Sequence, residues 1–178
     1  METATIPTPP GPFTLVVDDG AVVASGWAPD AGALLEAIGP ARLPALARAH
    51  AAGALAPRAE LGPFTRAVRA YLDGDLAAID AVPVAGRGSP FLARAWRELR
   101  ATAPGAPLTY AELAARCGRP TAVRAAGAAC ARNPTALFVP CHRVRRSDGA
   151  LGGFLYGAAV KRWLLDHEAR AGAGGPGR

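Results

Sequence analysis

Alanine occupies 43 of the 178 positions. Apolar residues make up 51% of the chain, enough for a real core, but much of that fraction is small side chain rather than core filler. Only 19% of residues are charged, and mean hydropathy is slightly positive at +0.15. These values exclude a disordered acidic tail, a collagenous repeat and a cysteine-stapled secreted module. No run approaches 18 apolar residues, and no basic region with an apolar run follows Met1, so neither a membrane span nor a signal peptide is expected. A soluble, cytoplasmic protein is the default. Cys117, Cys130 and Cys141 form neither an even disulfide set nor a CxxC pair.

Charge divides the chain. The first 88 residues carry 6 basic and 9 acidic side chains and the remainder 14 and 5, or about −3 and +9. A field of that kind on one half can steer a polyanion, nucleic acid being the commonest. The fold expected is an α/β N-terminal domain over 1–88, with a small β-sheet and helices. A mainly α-helical C-terminal domain over 89–170, containing a helix-turn-helix, should follow, and then a flexible Gly-rich tail over 171–178. Residues 1–12, rich in Pro and Thr, read as a loose lead-in. Phe13–Val17 and Ala21–Ser25 flank Asp18-Asp19-Gly20 and read as a β-hairpin. Helices are expected over 31–38, 43–55 and 64–72, with Gly74 stopping the last, and a returning strand over 77–84.

In the second half, Phe91, Ala95 and Leu99 share one face of a helix over 90–101. Thr109-Tyr110-Ala111-Glu112 matches a capping box that opens a helix ending near Cys117. Gly118-Arg119-Pro120 breaks the chain, and a second helix follows over 121–131. That helix is nearly bare. Ala122, Ala125, Ala126, Gly127, Ala128 and Ala129 leave Arg124 projecting from a thin cylinder, suited to another helix or to a DNA groove.

Leu137–Pro140 reads as a short apolar strand that delivers Cys141-His142-Arg143-Val144 to the mouth of a site. A free thiol has a pKa of about 8.5, so an effective nucleophile needs a base or a positive neighbourhood. Neighbouring residues of an extended strand point to opposite sides, so His142 can help Cys141 only if the backbone bends or a water bridges them. The residue orienting the imidazole is Asp148 or Glu168. Asp148 sits in Ser147-Asp148-Gly149, which a turn explains; Glu168 shares a helix face with Lys161 and Leu164. Cys117, Cys130, Trp96 and Trp163 read as packing residues, and His50 and His167 need no chemistry.

These residues resemble the O6-alkylguanine-DNA alkyltransferases, or methylated-DNA–protein-cysteine methyltransferases. The resemblance rests on Pro140-Cys141-His142-Arg143-Val144, with Ser89-Pro90-Phe91, Trp96, Pro107-Leu108-Thr109-Tyr110, Leu113-Ala114, Arg124, Gly127, Asn133-Pro134, Gly152-Gly153, Lys161, Leu165 and Glu168. It implies irreversible, single-turnover transfer of an alkyl group from O6-alkylguanine in duplex DNA to Cys141, with O4-alkylthymine a second candidate lesion. His142 would deprotonate Cys141 through a water, Glu168 would hold the imidazole and Asn133 would brace the cysteine. Tyr110 would serve both base and phosphate. Arg124 would enter the minor groove and fill the space of the flipped base. Thr109, Ala125, Gly127 and Arg143 complete the implied DNA contacts, and Val144, Phe154, Leu155 and Tyr156 the pocket. In that pocket the Cys141 and Val144 carbonyls would take the guanine amine, and the Leu155 amide would face O6. Many relatives carry tyrosine where Phe154 stands, and a polar or small residue where Leu155 stands. No cysteine precedes Cys117, so no structural metal is expected, and no cofactor. The expected protein is a bacterial monomer with no obligate protein partner and no membrane contact. The rival readings are a non-catalytic binder of alkylated DNA, a helix-turn-helix transcriptional regulator and a thiol hydrolase.

Overall fold

A run of five apolar or small residues at Phe13–Val17 can sit only where both faces of a strand are covered. In the computed structural model, which describes residues 1–86 and 88–173, this run is the buried part of strand β2 (Phe13–Asp18). Asp19 and Gly20 adopt φ of 46° and 71°, as a two-residue hairpin turn requires, and return the chain as β3 (Ala21–Trp27). The segment expected to be a loose lead-in is instead β1 (Glu2–Ile6), antiparallel to β2. Its Thr3, Ala4 and Ile6 are buried, and Thr5 Oγ1 meets Thr14 Oγ1 across the pair at 2.8 Å. The prolines that suggested irregularity fall after Ile6. With the short β4 (Ala56–Pro57), parallel to β1, the sheet order is β3-β2-β1-β4.

One sheet face is covered by α1 (Ala31–Ile38) and α2 (Pro44–Ala51), whose Leu34, Leu35, Ile38 and Leu46 pack with Val16 and Ala24. Asp30 caps α1 through the Ala33 amide. Helix α2 stops short of the expected Leu55, followed by Gly53 at φ 64°. The other face receives α3 (Pro63–Leu72) with Val68 and Tyr71, and also Leu137, Phe138, Val160 and Leu164 from the second half. The basic half is therefore built directly onto the N-terminal sheet. Residues 77–84 bury Ile79 and Val82 through successive turns rather than a strand. A single bridge, Val22 to Val84, remains there, because Pro83 has a carbonyl to offer Val22 but no amide.

Helix α4 (Pro90–Arg100) buries Ala95, Trp96 and Leu99 against α5 (Tyr110–Arg116) and α6 (Val123–Ala131). Trp96 Nε1 donates to the Ala129 carbonyl at 3.0 Å. The capping box forms: Thr109 Oγ1 accepts from Glu112 N, and Glu112 Oε2 accepts from Thr109 N. Residues 121 and 122 belong to the turn, so α6 is two residues shorter than expected. A parallel pair, β5 (Leu108–Thr109) and β6 (Val144–Arg145), ties α5 to the chain following Cys141. The strand expected over 137–140 is absent. Leu137 takes φ 73°, a left-handed value costly for a branched residue, and Val139 N bonds back to Thr135 O. Helix α7 (Ala158–Ala173) closes the chain. Residues 171–173, expected to begin a flexible tail, are its last residues, and 174–178 lie outside the described residues. No described helix is long and apolar enough to cross a membrane.

Candidate active site

The turn that replaces the expected strand is what positions the sulfur. Pro140 leads into a one-turn 3-10 helix, Cys141–Arg143, which supplies the backbone bend that the sequence demanded. Asn133, following α6, is buried with its full hydrogen-bonding capacity engaged. Its Nδ2 donates to Val139 O at 2.7 Å and to Cys141 Sγ at 3.2 Å. Its Oδ1 accepts from Thr135 N at 3.0 Å and Thr135 Oγ1 at 3.2 Å. The amide thus braces the turn and places an N–H on the sulfur, where it favours the thiolate. Burial pushes the Cys141 thiol above its usual range, while the Asn133 donor and the Lys161 ammonium pull it back. At rest the residue is a thiol, and something must take its proton.

His142 and Glu168 meet behind it. Glu168 lies on the inward face of α7 with Lys161 and Leu164, all three fully buried. Its Oε1 is 2.9 Å from His142 Nε2 and accepts from Tyr71 Oη at 2.8 Å and from Arg143 Nη2 at 2.8 Å. Arg143 Nε sits 3.0 Å and 3.1 Å from the two carboxylate oxygens, and its Nη1 donates to the Thr102 carbonyl. Burial works to raise the Glu168 pKa, but the hydrogen bonds and charges of His142 and Arg143 outweigh it and hold the carboxyl well below the usual range. Burial also lowers the His142 pKa, and only part of that is offset by Glu168. The resting pair is therefore a carboxylate and a neutral imidazole. Since a carboxylate only accepts, Nε2 carries the ring proton and Nδ1 presents a lone pair. Nδ1 is buried without any protein partner, the one such side-chain atom among the described residues.

Cys141 opens onto a cavity of about 260 Å³ lined by Tyr110, Gly127, Cys130 and Asn133 on one side and Gly153, Phe154, Leu155 and Tyr156 on another. A larger groove of about 680 Å³ runs between α2, β3 and α4, but neither a thiol nor a histidine lines it. Burial raises the Tyr110 phenol above its ordinary pKa, so it faces the cavity as a proton donor. Lys161 Nζ donates to the carbonyls of Val144, Leu151 and Gly153, pinning the loop that carries Phe154 to the turn that carries Cys141. Among the described residues no group of three His, Cys, Asp or Glu side chains is placed to hold a metal ion.

The residues expected from sequence divide as follows. Cys141, His142, Glu168 and Asn133 are brought into one network, and Tyr110, Gly127, Phe154, Leu155 and Tyr156 line the cavity beside it. Arg124 is exposed at the start of α6, without an ion pair among the described residues, and Ala125 is half-buried next to it. Arg143 is corrected. Expected to contact DNA, it is 1% exposed and acts as the counter-ion of Glu168. Val144 is also corrected: its side chain is fully buried in the core and does not line the cavity, and its carbonyl already takes the Lys161 ammonium. Thr109 uses its hydroxyl oxygen to cap α5. Asp148 takes the turn role, accepting from Ala150 N and pairing with Arg146. Sequence reasoning missed Tyr71, which reaches Glu168 across 97 positions; its only local signal was a place on the apolar face of α3. It also placed Cys130 in packing alone, whereas that thiol lines the cavity, its pKa raised far above normal by burial.

Residues 90–170 match the family described as "6-O-methylguanine DNA methyltransferase, DNA binding domain". A methylated-DNA–protein-cysteine methyltransferase of Salmonella typhimurium is 47% identical over 98 residues, covering 55% of this chain and 57% of that protein. One from Methanosarcina barkeri is 41% identical over 103 residues, 58% and 65% of the two chains. The chain thus aligns with less than two thirds of the length of these curated relatives. Agreement in fold is longer: the crystal structure of Mycobacterium tuberculosis OGT in complex with DNA superposes with a TM-score of 0.77 at 28% identity, over 96% of this chain and 94% of that one. The O6-methylguanine-DNA methyltransferase of Pyrococcus kodakaraensis, 21% identical with a TM-score of 0.60, shares the fold.

Proposed function

We propose that this chain, whose residues 90–170 match the 6-O-methylguanine DNA methyltransferase family, repairs O6-alkylguanine in duplex DNA by moving the alkyl group onto Cys141. The observation that carries this reading is the bare Nδ1 of His142, buried behind a thiol that borders a cavity. A buried lone pair of this kind is normally satisfied by water. One water there would relay the thiol proton to the imidazole, with the Glu168 carboxylate stabilising the imidazolium that forms.

Sulfur then attacks the alkyl carbon in line with guanine O6. An S–C bond forms and the C–O6 bond breaks, and the electron pair passes to the purine. The purine takes up a proton, returned through His142 and Tyr110, so that a thiol and an alkylguanine become a thioether and guanine. Donors at the purine stabilise the charge as it develops. A thioether is not an electrophile that water opens under these conditions, so each molecule acts once.

The base must leave the stack to reach a cavity of this kind, at a cost of a few kcal/mol. We read α5 and α6 as a helix-turn-helix laid on the minor groove, in a DNA-binding domain over 89–170 supported by residues 1–88. The small residues Ala125 and Gly127 admit the backbone closely, and Arg124 fills the vacated space. Exposed Arg116, Arg119, Arg132 and Arg145 surround the two helices and suit phosphates. The deciding experiment is intact and peptide mass after incubation with duplex DNA bearing one O6-methylguanine. One methyl on the Cys141 peptide, saturating at one per protein, is expected; continued turnover, or methylation of Cys130 or Cys117, would overturn the assignment.

A further inference from the structure

Gly26 of β3 is buried, and its φ lies outside the left-handed region, so the backbone itself would accept a side chain. What excludes one is Tyr156. A Cβ at Gly26 would lie 2.0 Å from both Cζ and Oη of that ring and 2.6 Å from Cε1. The ring rests on bare strand, boxed by Trp27 and Phe154 at centroid distances of 5.7 Å and 5.6 Å, and its hydroxyl donates to Ser25 O at 3.2 Å. Ser25 also grips the opposite side of the site. Its amide donates to Pro134 O at 2.9 Å, its carbonyl accepts from Ala136 N at 3.1 Å, and its Oγ donates to Ala136 O at 2.9 Å. Ala136 and Tyr156 both line the cavity that holds Cys141. Two adjacent residues of the N-terminal sheet thus hold two walls of a cavity whose nucleophile and base belong to the other half.

We propose that Ser25 and Gly26 are positioning residues that determine lesion size: by fixing the separation of the Ala136 and Tyr156 walls, they set the bulk of O6-substituent that reaches Cys141. The proposal rests on the alkyl-transfer reading. Its physical content is steric. The Tyr156 ring has the strand on one side and the cavity on the other, so displacement from the strand narrows the cavity. A benzyl group meets that narrowing long before a methyl group does.

The test compares transfer to Cys141, followed by peptide mass, from duplexes carrying O6-methylguanine or O6-benzylguanine at the same position. Gly26→Ala is expected to lower the benzyl-to-methyl rate ratio at least tenfold. In the double variant with Tyr156→Gly there is no ring to displace, and the ratio should equal that of Tyr156→Gly alone. Tyr156→Phe, which adds no volume and only frees the ring to leave the strand for the cavity, covers the case of a poorly folded Gly26 variant; its ratio should fall about threefold. An unchanged ratio in folded Gly26→Ala, the same fall with the ring absent, or an unmoved ratio in Tyr156→Phe would each overturn the proposal. Wild-type protein that transfers no methyl at all would instead overturn the alkyl-transfer reading.

Discussion

Replacing Tyr71 with phenylalanine removes one oxygen from the most buried part of the site and little else. The ring stays in the core between the sheet and α7, so no cavity larger than a hydroxyl opens. The bond lost is a 2.8 Å donation to a carboxylate, a class that contributes about 1.5–3 kcal/mol. Glu168 Oε1 keeps His142 and Arg143 as partners, so no charge is stranded and the lower figure applies. With a urea dependence of roughly 2 kcal/mol per molar, a loss of about 1.5 kcal/mol moves the unfolding midpoint down by about 0.7 M. The chemistry should move too. The phenol stays protonated, its pKa raised by burial and by the Glu168 charge, so in the wild type it drains negative charge from Oε1 at all working pH. Without it the carboxylate favours the imidazolium more strongly, and the His142 pKa rises from its depressed value. Transfer needs neutral His142, so activity is lost on the acid side, and that limb must shift to higher pH. The assay is the rate of Cys141 alkylation by free O6-benzylguanine from pH 5 to 9. A lower urea midpoint with an unmoved acid limb would reduce Tyr71 to packing, and an unchanged midpoint would mean that its bond to Glu168 contributes nothing.

Three further outcomes follow from the same network and surface. Glu168→Gln leaves the Arg143 guanidinium, 1% exposed, without its counter-charge and should cost about 3–5 kcal/mol in urea unfolding. Because the folded Glu168 pKa is depressed below the unfolded value of about 4.3, its stabilisation is full above that pH and lost as pH falls through it toward the folded value. Melts from pH 7 to 3 should show this acid loss in the wild type and a smaller one in the glutamine variant; parallel curves would refute it. Arg124→Ala should slow repair of duplex lesions by roughly tenfold or more while leaving reaction with free O6-benzylguanine near wild type, since only the duplex pays for extrusion; equal slowing of both would remove that role.

Chemical identity was legible locally. The cysteine–histidine pair, the capping box and the bare second helix are each carried by residues within a dozen positions, and local chemistry decides them: a cap needs an oxygen three residues from its amide, and a helix that lets a partner approach closely needs small side chains. Length of strand was less legible. Residues 137–140 and 77–84 have strand-like composition, but strand formation needs a partner ladder. Both segments instead satisfy their apolar side chains through turns against the sheet that β1 to β3 had already completed.

The residues that tune the site came from still farther away. Sequence alone narrowed the candidate nucleophile, base and orienting acid to Cys141, His142 and either Asp148 or Glu168, because those roles need particular functional groups and few candidates exist in a chain with three cysteines and three histidines. Only the tertiary structure decided that Arg143 faces inward as a counter-ion rather than outward to a phosphate. It also brought Tyr71 from α3 to Glu168 and made Ser25 and Gly26 of β3 the support for two walls of the cavity. Charge and hydrogen-bonding capacity are properties of a residue, whereas burial and partnership are properties of the surfaces that fold against it.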